Sequence, residues 1–233
     1  MGAAVVWGVV AAAPLALGAV LALWKGWPPA WLGLVLGFGA GALIASISFE
    51  LFEDGLAVAG PVPLVVGMAV GALTYYVADR LVERRASAAA GQGGPLAVGA
   101  LLDGIPEQLV LGIGLAAGDG VSMALVIAIV VSNLPESIGS ASELLEGGMR
   151  RSRVMLLWSG VAVVCALATV GGYALADSVP AAFSAGANGF AAGALLVMLV
   201  DTMIPDAQRK AKENTGLATV IGFALAAGLS MAG

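Results

Sequence analysis

Eight apolar runs divide the chain, at about 3–24, 30–52, 61–82, 95–117, 121–146, 154–176, 181–207 and 215–232. Short polar connectors separate them. About 20 consecutive apolar residues cross the hydrocarbon core of a bilayer as a helix, so each run predicts a membrane span. Lys25-Gly26-Trp27-Pro28-Pro29 reads as a tight turn at a membrane interface, with Trp24, Trp27 and Trp31 as aromatic anchors. Glu53-Asp54-Gly55 closes the second run, and a flexible Ser/Ala/Gly/Gln linker ending at Gly94 follows the third. Gly118-Asp119-Gly120 turns the chain between the fourth and fifth. No basic residue precedes the first run, so it reads as a retained span rather than a cleaved signal. The expected fold is an all-α polytopic membrane protein of eight transmembrane helices, with residues 1–233 forming one transmembrane domain.

Composition agrees with the pattern. Of 233 residues, 60% are hydrophobic and only 11% are charged, and the mean hydropathy is +1.00. The 34 glycines suit close helix packing in lipid, where small residues let backbones approach. Ten Lys and Arg, spread over four connectors, make a nucleic-acid partner unlooked-for. There is no His, which removes His-based zinc centres, hydrolases and proton relays. Cys165 is the single cysteine and lies in an apolar run, so neither a disulfide within the chain nor a thiolate cluster is available.

Sorting charges by connector orients the chain. Every Lys and Arg falls at the end of an odd-numbered run or in the connector after it: Lys25; Arg80, Arg84 and Arg85; Arg150, Arg151 and Arg153; Arg209, Lys210 and Lys212. The connectors after runs two, four and six carry only acids, namely Glu53, Asp54, Asp119 and Asp177. The positive-inside rule then puts the odd connectors in the cytoplasm and both termini outside. Only an even number of spans allows this.

Once the connectors and the ends of the runs are set aside, five carboxylates remain within them: Glu50, Asp103, Glu107, Glu136 and Asp201. The stretch Asp103-Gly104-Ile105-Pro106-Glu107-Gln108 is echoed in the next run by Ser132-Asn133-Leu134-Pro135-Glu136-Ser137. Positions four apart share a helix face, so Asp103 projects with Glu107 and Ser132 with Glu136. Each Pro frees the carbonyl four residues earlier, those of Leu102 and Val131. At 1.5 Å per residue, Glu107 lies roughly 18 Å into its run and Glu136 roughly 16 Å from the cytoplasmic end of its own. Antiparallel runs would bring the two to similar depth. A charge there costs roughly 2.5–3.5 kcal/mol on insertion scales, and no Lys or Arg accompanies the acids at that depth along the sequence. Such a group either takes protons or receives a cation. A single acid such as Glu50 has the plainer alternative of a proton and a carbonyl partner. Ser132, Asn133 and Gln108 have the alternative of holding helices together.

Eight spans, outward termini and paired Pro-Glu motifs in spans four and five resemble the ZIP (Zrt-, Irt-like protein) family of divalent-metal transporters. The stretch 42–51, ending Phe49-Glu50-Leu51, is similar to the family's second span, and 190–207, with Asp201-Thr202-Met203-Ile204-Pro205-Asp206, to its seventh. The resemblance covers nearly the whole chain. It implies an inverted-repeat helical bundle, usually a homodimer, that moves metal, often zinc, into the cytoplasm. It also implies metal ligands at Asp103, Glu107, Ser132, Asn133 and Glu136, with Glu50, Gln108, Asp201 and Thr202 along the route. The family's usual His and Asn of span four are Asp103 and Gly104 here, and span six carries no acid after Ser159-Gly160, which points to one metal site rather than two.

The function expected is therefore transport of a divalent cation across the cytoplasmic (inner) membrane, with the bilayer and the transported ion as partners and no cofactor. The family likeness favours zinc, while an all-oxygen site equally suits manganese, iron, cobalt, cadmium or magnesium. Weighed against it are a proton-coupled carrier of another cation or solute, a non-transporting metal sensor, and an intramembrane aspartyl protease. An enzyme is not expected, because no span looks built to admit a peptide.

Overall fold

The computed structural model is helical throughout, with no strand among the described residues, which are 1–88, 93–117, 122–176 and 178–232. Within these, the side chains of 82–88, 93–97, 103, 117 and 124 lie outside the description. Helix α1 is Gly2–Trp24. Helix α2 begins at Pro29–Ser46, passes through a π-helical segment, Ile47–Phe52, and ends as Glu53–Ala59. Helices α3 (Pro61–Ala88), α4 (Gly93–Ala117), α5 (Met123–Glu146) and α6 (Arg151–Ala176) follow. Helix α7 comprises Ala181–Met198, a second π-helical segment, Leu199–Met203, and Ile204–Ala211. A 3-10 turn, Lys212–Asn214, leads to α8, Thr215–Ala232.

Local chemistry sets these boundaries. Prolines open α2 and α3, where their missing N–H is no loss and their φ suits the first turn. The Ser122 hydroxyl caps α5 by accepting the Leu125 N–H at 3.1 Å. Gly60 and Gly148 take the left-handed φ values of 78° and 83° that turns after α2 and α5 require. Between α7 and α8, Lys212 has φ 53°, and the Thr215 hydroxyl donates to the Ala207 carbonyl at 3.1 Å across the break. Helix α2 does not stop at Glu53-Asp54-Gly55 as the acids suggested. No proline intervenes before Gly60-Pro61, and Gly55 lets α2 pack closely enough that an added Cβ would lie 2.6 Å from Leu64. Helix α3 likewise runs past 82 to Ala88, with the Arg80 guanidinium 4.4 Å above the Tyr76 ring. Residues 89–92 of the expected linker, Asp119 and Asp177 lie outside the described residues.

Two groups of helices share the packing. Helix α1 lies against α5 and α6, and α4 against α6. In the other group α2 lies against α8 and the end of α7, and α3 against α7. They meet where α2 crosses α5 and where α4 touches α3 and α7. Glycines mark the closest approaches and reveal the directions. Gly37 and Gly41 of α2 face Thr215 and Thr219 of α8, so these helices run parallel. Gly33 of α2 abuts Ala211, and Gly55 abuts Asn188, so α2 and α7 run antiparallel. Helices α7 and α8 therefore run in opposite directions. A cluster around Leu43, Ile129, Leu195 and Leu199 fills the centre, and a second, around Trp158, joins α1, α4, α5 and α6.

Among the described residues, seven stretches are long and apolar enough to cross a membrane; the last, Ala181–Ala232, is 52 residues long and contains both α7 and α8. The outward faces suit lipid: Leu73, Leu167, Leu217 and Val220 are all exposed. Trp24 and Trp31 are exposed near the α1–α2 turn, and the Trp27 indole N–H donates to the Leu21 carbonyl at 3.2 Å.

The backbone contact between α2 and α8 yields a test. Gly222 faces the Phe38 backbone, whereas a Cβ at Gly228 would meet nothing within 4 Å. Gly222→Val should lower the thermal unfolding midpoint in detergent, with an overpacking cost of about 1–3 kcal/mol. Gly228→Ala should leave the midpoint unchanged or raise it slightly.

Candidate functional site

Pro106 and Pro135 both sit inside unbroken helices, α4 and α5. The Val131 carbonyl, deprived of its partner by Pro135, faces α2: it lies 3.3 Å from where a Cβ on Gly39 would be. Any side chain at 39 would press on that oxygen, so glycine keeps the three helices close here. Met203 of α7 reaches the same point, its methyl 2.9 Å from that position.

Around this junction polar groups are buried deeply. Glu107 is 1% exposed, Gln108 0%, Ser132 1% and Asn133 2%. Among the described residues, both carboxylate oxygens of Glu107 lack a hydrogen-bond partner, as do Gln108 Nε2, Asn133 Nδ2 and, on α2, Ser46 Oγ. Buried polar groups are nearly always satisfied in folded proteins, and an orphan calls for an explanation. A carboxylate with two orphan oxygens is the costliest member of this set. Ser132 spends its proton on the Ile129 carbonyl at 3.1 Å, which leaves its oxygen lone pairs to accept or coordinate. Gln108 accepts from the Thr169 hydroxyl of α6, so its carbonyl end ties helices together.

Glu136 is half-buried on α5, and its charge bears directly on Glu107. The structure thus brings together the two Glu residues of the paired motifs. A further acid acts on Glu136 from the other group of helices: Asp206 of α7. It is 28% exposed and pairs with Arg209, which is itself 76% exposed. Asp206 stands outside the set expected from sequence. The signal was present, since Ile204-Pro205-Asp206 repeats the Ile/Leu-Pro-acid pattern of Ile105-Pro106-Glu107 and Leu134-Pro135-Glu136.

Asp103 belongs to α4, but its side chain falls outside the described residues. Glu50 sits in the π-helical part of α2 and accepts from the Ser230 hydroxyl of α8. Asp201 and Thr202 are exposed on the flank of α7 beside Val200. Gly104 faces α6, where an added Cβ would lie 2.6 Å from Cys165 Sγ, so this position is given to packing. Among the described residues, no three Asp, Glu or Cys side chains stand close enough to hold a metal ion by themselves. The chemistry on offer is two coupled carboxylates supplemented by neutral oxygens.

No protein-family model matches the chain. Over 214 residues it is 28% identical to an Arabidopsis thaliana protein named "Putative zinc transporter". The chain is a distant relative of that protein. The match takes in 87% of the chain but 34% of the plant protein, so the chain spans about a third of its relative's length. The relationship is consistent with the ZIP resemblance of the motifs.

Orphan oxygens predict a measurable trade between stability and chemistry. Exchanging a buried, unpaired polar group for an apolar one of similar volume is often stabilising. Glu107→Met should raise the unfolding midpoint of the metal-free protein, by about 1–3 kcal/mol. A lowered midpoint would mean that Glu107 serves the fold instead.

Proposed function

We propose that the chain is a carrier of divalent cations, zinc among them, with Glu107 and Glu136 as the charged ligands. The observation that carries this reading is the Glu107 carboxylate, buried to 1% exposure with both oxygens unpartnered beside a second carboxylate. Two carboxylates balance a doubly charged ion, and Ser132, Asn133 and the carbonyls freed by Pro106 and Pro135 complete its shell. Asp103, four residues before Glu107 in the sequence, is the third ligand that the family resemblance implies. The named function of the plant relative supports zinc; oxygen ligands accept it but also suit harder ions.

In this reading the chain crosses the cytoplasmic membrane eight times, with both termini outside. A straight helix as long as Ala181–Ala232 would measure roughly 78 Å. That far exceeds a bilayer core of about 30 Å. The opposite directions of α7 and α8, and the basic residues gathered at the turn between them, support two crossings there. The inverted repeat is supported by the π-helical segments of α2 and α7, each with an acid, and by the paired motifs of α4 and α5. Asp201, exposed on α7 roughly 15 Å from Ala211, would be costly in bare lipid. A homodimer that covers this flank would relieve it.

The route follows from the two helix groups. Glu107 and Glu136 belong to one, and Asp206 to the other. A cation enters from the outer face, sheds water, and binds between α4 and α5. Rocking of one group against the other then opens the basic, cytoplasmic side, where Asp206 is the next acid it meets. Spans α2 and α7, with Glu50, Asp201 and Thr202, border this path.

Two experiments test the reading. Glu107→Ala and Glu136→Ala should each cut zinc flux into proteoliposomes by about a hundredfold or more, an effect of about 2.7 kcal/mol. Undiminished flux in both variants removes the site. In the same assay Asp103→His should shift the order of preference among zinc, manganese, cadmium and magnesium toward zinc. For the topology, single cysteines placed at Ser178 and Asn214 in a Cys165→Ala background would meet an impermeant thiol reagent applied from outside. Ser178→Cys should react and Asn214→Cys should not until the membrane is opened.

A further inference from the structure

Lys210 is the one basic residue that the fold turns inward toward the carboxylates among the described residues. Its Cβ lies 2.7 Å from where a side chain on Gly33 of α2 would begin. Its ammonium Nζ lies 3.3 Å from the corresponding point on Gly139 of α5. The side chain therefore passes through the gap between α2 and α5, and the absence of side chains at Gly33 and Gly139 makes that gap. Gly139 is buried and stands three residues beyond Glu136, on the same helix face and one turn nearer the basic connector. Asp206, four residues before Lys210, shares its face of α7 and acts on Glu136. Arg209 turns the other way: it is largely exposed and holds Asp206 from outside. Lys210 is half-buried, with no ion pair or hydrogen bond to its ammonium among the described residues.

We propose that Lys210 is a tethered cation at the cytoplasmic mouth of the Glu136 site, where it competes with the transported ion and lowers the affinity with which that ion is held. This rests on the transport reading above. An ammonium on a four-carbon stem is a compact point charge with freedom to move. When the site lacks metal, it offsets the charge of Glu136 and Asp206. When a divalent ion arrives, the like charges repel, and the ion is held less tightly than two carboxylates alone would hold it. A carrier needs this, because an ion bound too well is not released. Lys210 is a positioning residue here: it touches neither the ion nor Glu107, and works through the field at Glu136 and Asp206, with Arg209 the other charge on that side.

The test uses the full chain in lipid nanodiscs and zinc chloride as the probe. Calorimetry should show that Lys210→Met binds zinc about tenfold more tightly than wild type, the scale expected for removing a nearby positive charge at the effective dielectric of a protein. Lys210→Arg should stay within about twofold of wild type, because it keeps the charge. In proteoliposomes Lys210→Met should lower both KM and maximal flux, since release becomes slower, and Lys210→Arg should restore both. Equal zinc affinity in Lys210→Met and wild type overturns the proposal, as does a tightening that Lys210→Arg shares. If Lys210→Met binds more weakly, Lys210 supports the fold and the proposal also falls. Zinc binding unaffected by Glu107→Ala and Glu136→Ala would remove the underlying site, and the role of Lys210 with it.

Discussion

A carboxylate at mid-membrane depth has no water to solvate it and must be matched by something the fold provides or admits. Here the fold provides little. Glu107 is sealed with both oxygens unpartnered, and its strongest charged neighbour, Glu136, has the same sign. Like charges in a medium of low polarity repel far more than they do in water. Such an arrangement is unfavourable as architecture, and in the proposed reading a cation that bridges the pair offsets its cost. That single imbalance accounts for much else in the chain: prolines that free carbonyls beside the acids, and an amide and a hydroxyl directed into the same interior.

Bringing acids from different helices near one another requires backbones to approach closely, and glycine makes that approach. Gly39 admits the Val131 carbonyl, Gly41 and Gly222 seat α2 on α8, and Gly33 and Gly139 open a passage for Lys210. These contacts do not depend on a hydrophobic driving force, which is weak between helices in lipid. They depend on the shape that small residues leave. Stability and site geometry are thus set by the same residues, and a bulky substitution at Gly39 would disturb both.

The apolar helices, their order and the nearness of the two motif glutamates were legible in the sequence because each leaves a local mark: a run of apolar residues, or an acid with a proline one place before it. The features that escaped are non-local. Asp206 acts on Glu136 only because α7 packs on α2, which in turn crosses α5, and its own proline pattern was overshadowed by Asp201 five residues earlier. Lys210 was counted as a loop charge by its place in the sequence, and nothing in its neighbours along the chain shows that Gly33 and Gly139 make room for it. The π-helical segments were equally hidden. A wider turn at Ile47–Phe52 and at Leu199–Met203 rotates the following residues around the helix axis. Asp201 and Thr202, which the family resemblance alone put along the route, lie within the second of these segments and are exposed. The end of α2 was misjudged for a simpler reason: acids mark an interface, but they do not terminate a helix.

Exposure separates the carboxylates: Glu107 is 1% exposed, while Glu136 and Asp206 are both partly exposed. That difference has a physical consequence for a cation on the proposed route. Returning a divalent ion from a sealed carboxylate to bulk water in one step costs more than returning it in stages. Partly hydrated acids at Glu136 and Asp206 divide the step, because each exchange replaces a few protein oxygens with water. The order also separates the two helix groups, with the sealed end on one and the hydrated end on the other. Relative motion of the groups would then open or close the step between Glu136 and Asp206, the point where charge, burial and helix seam coincide.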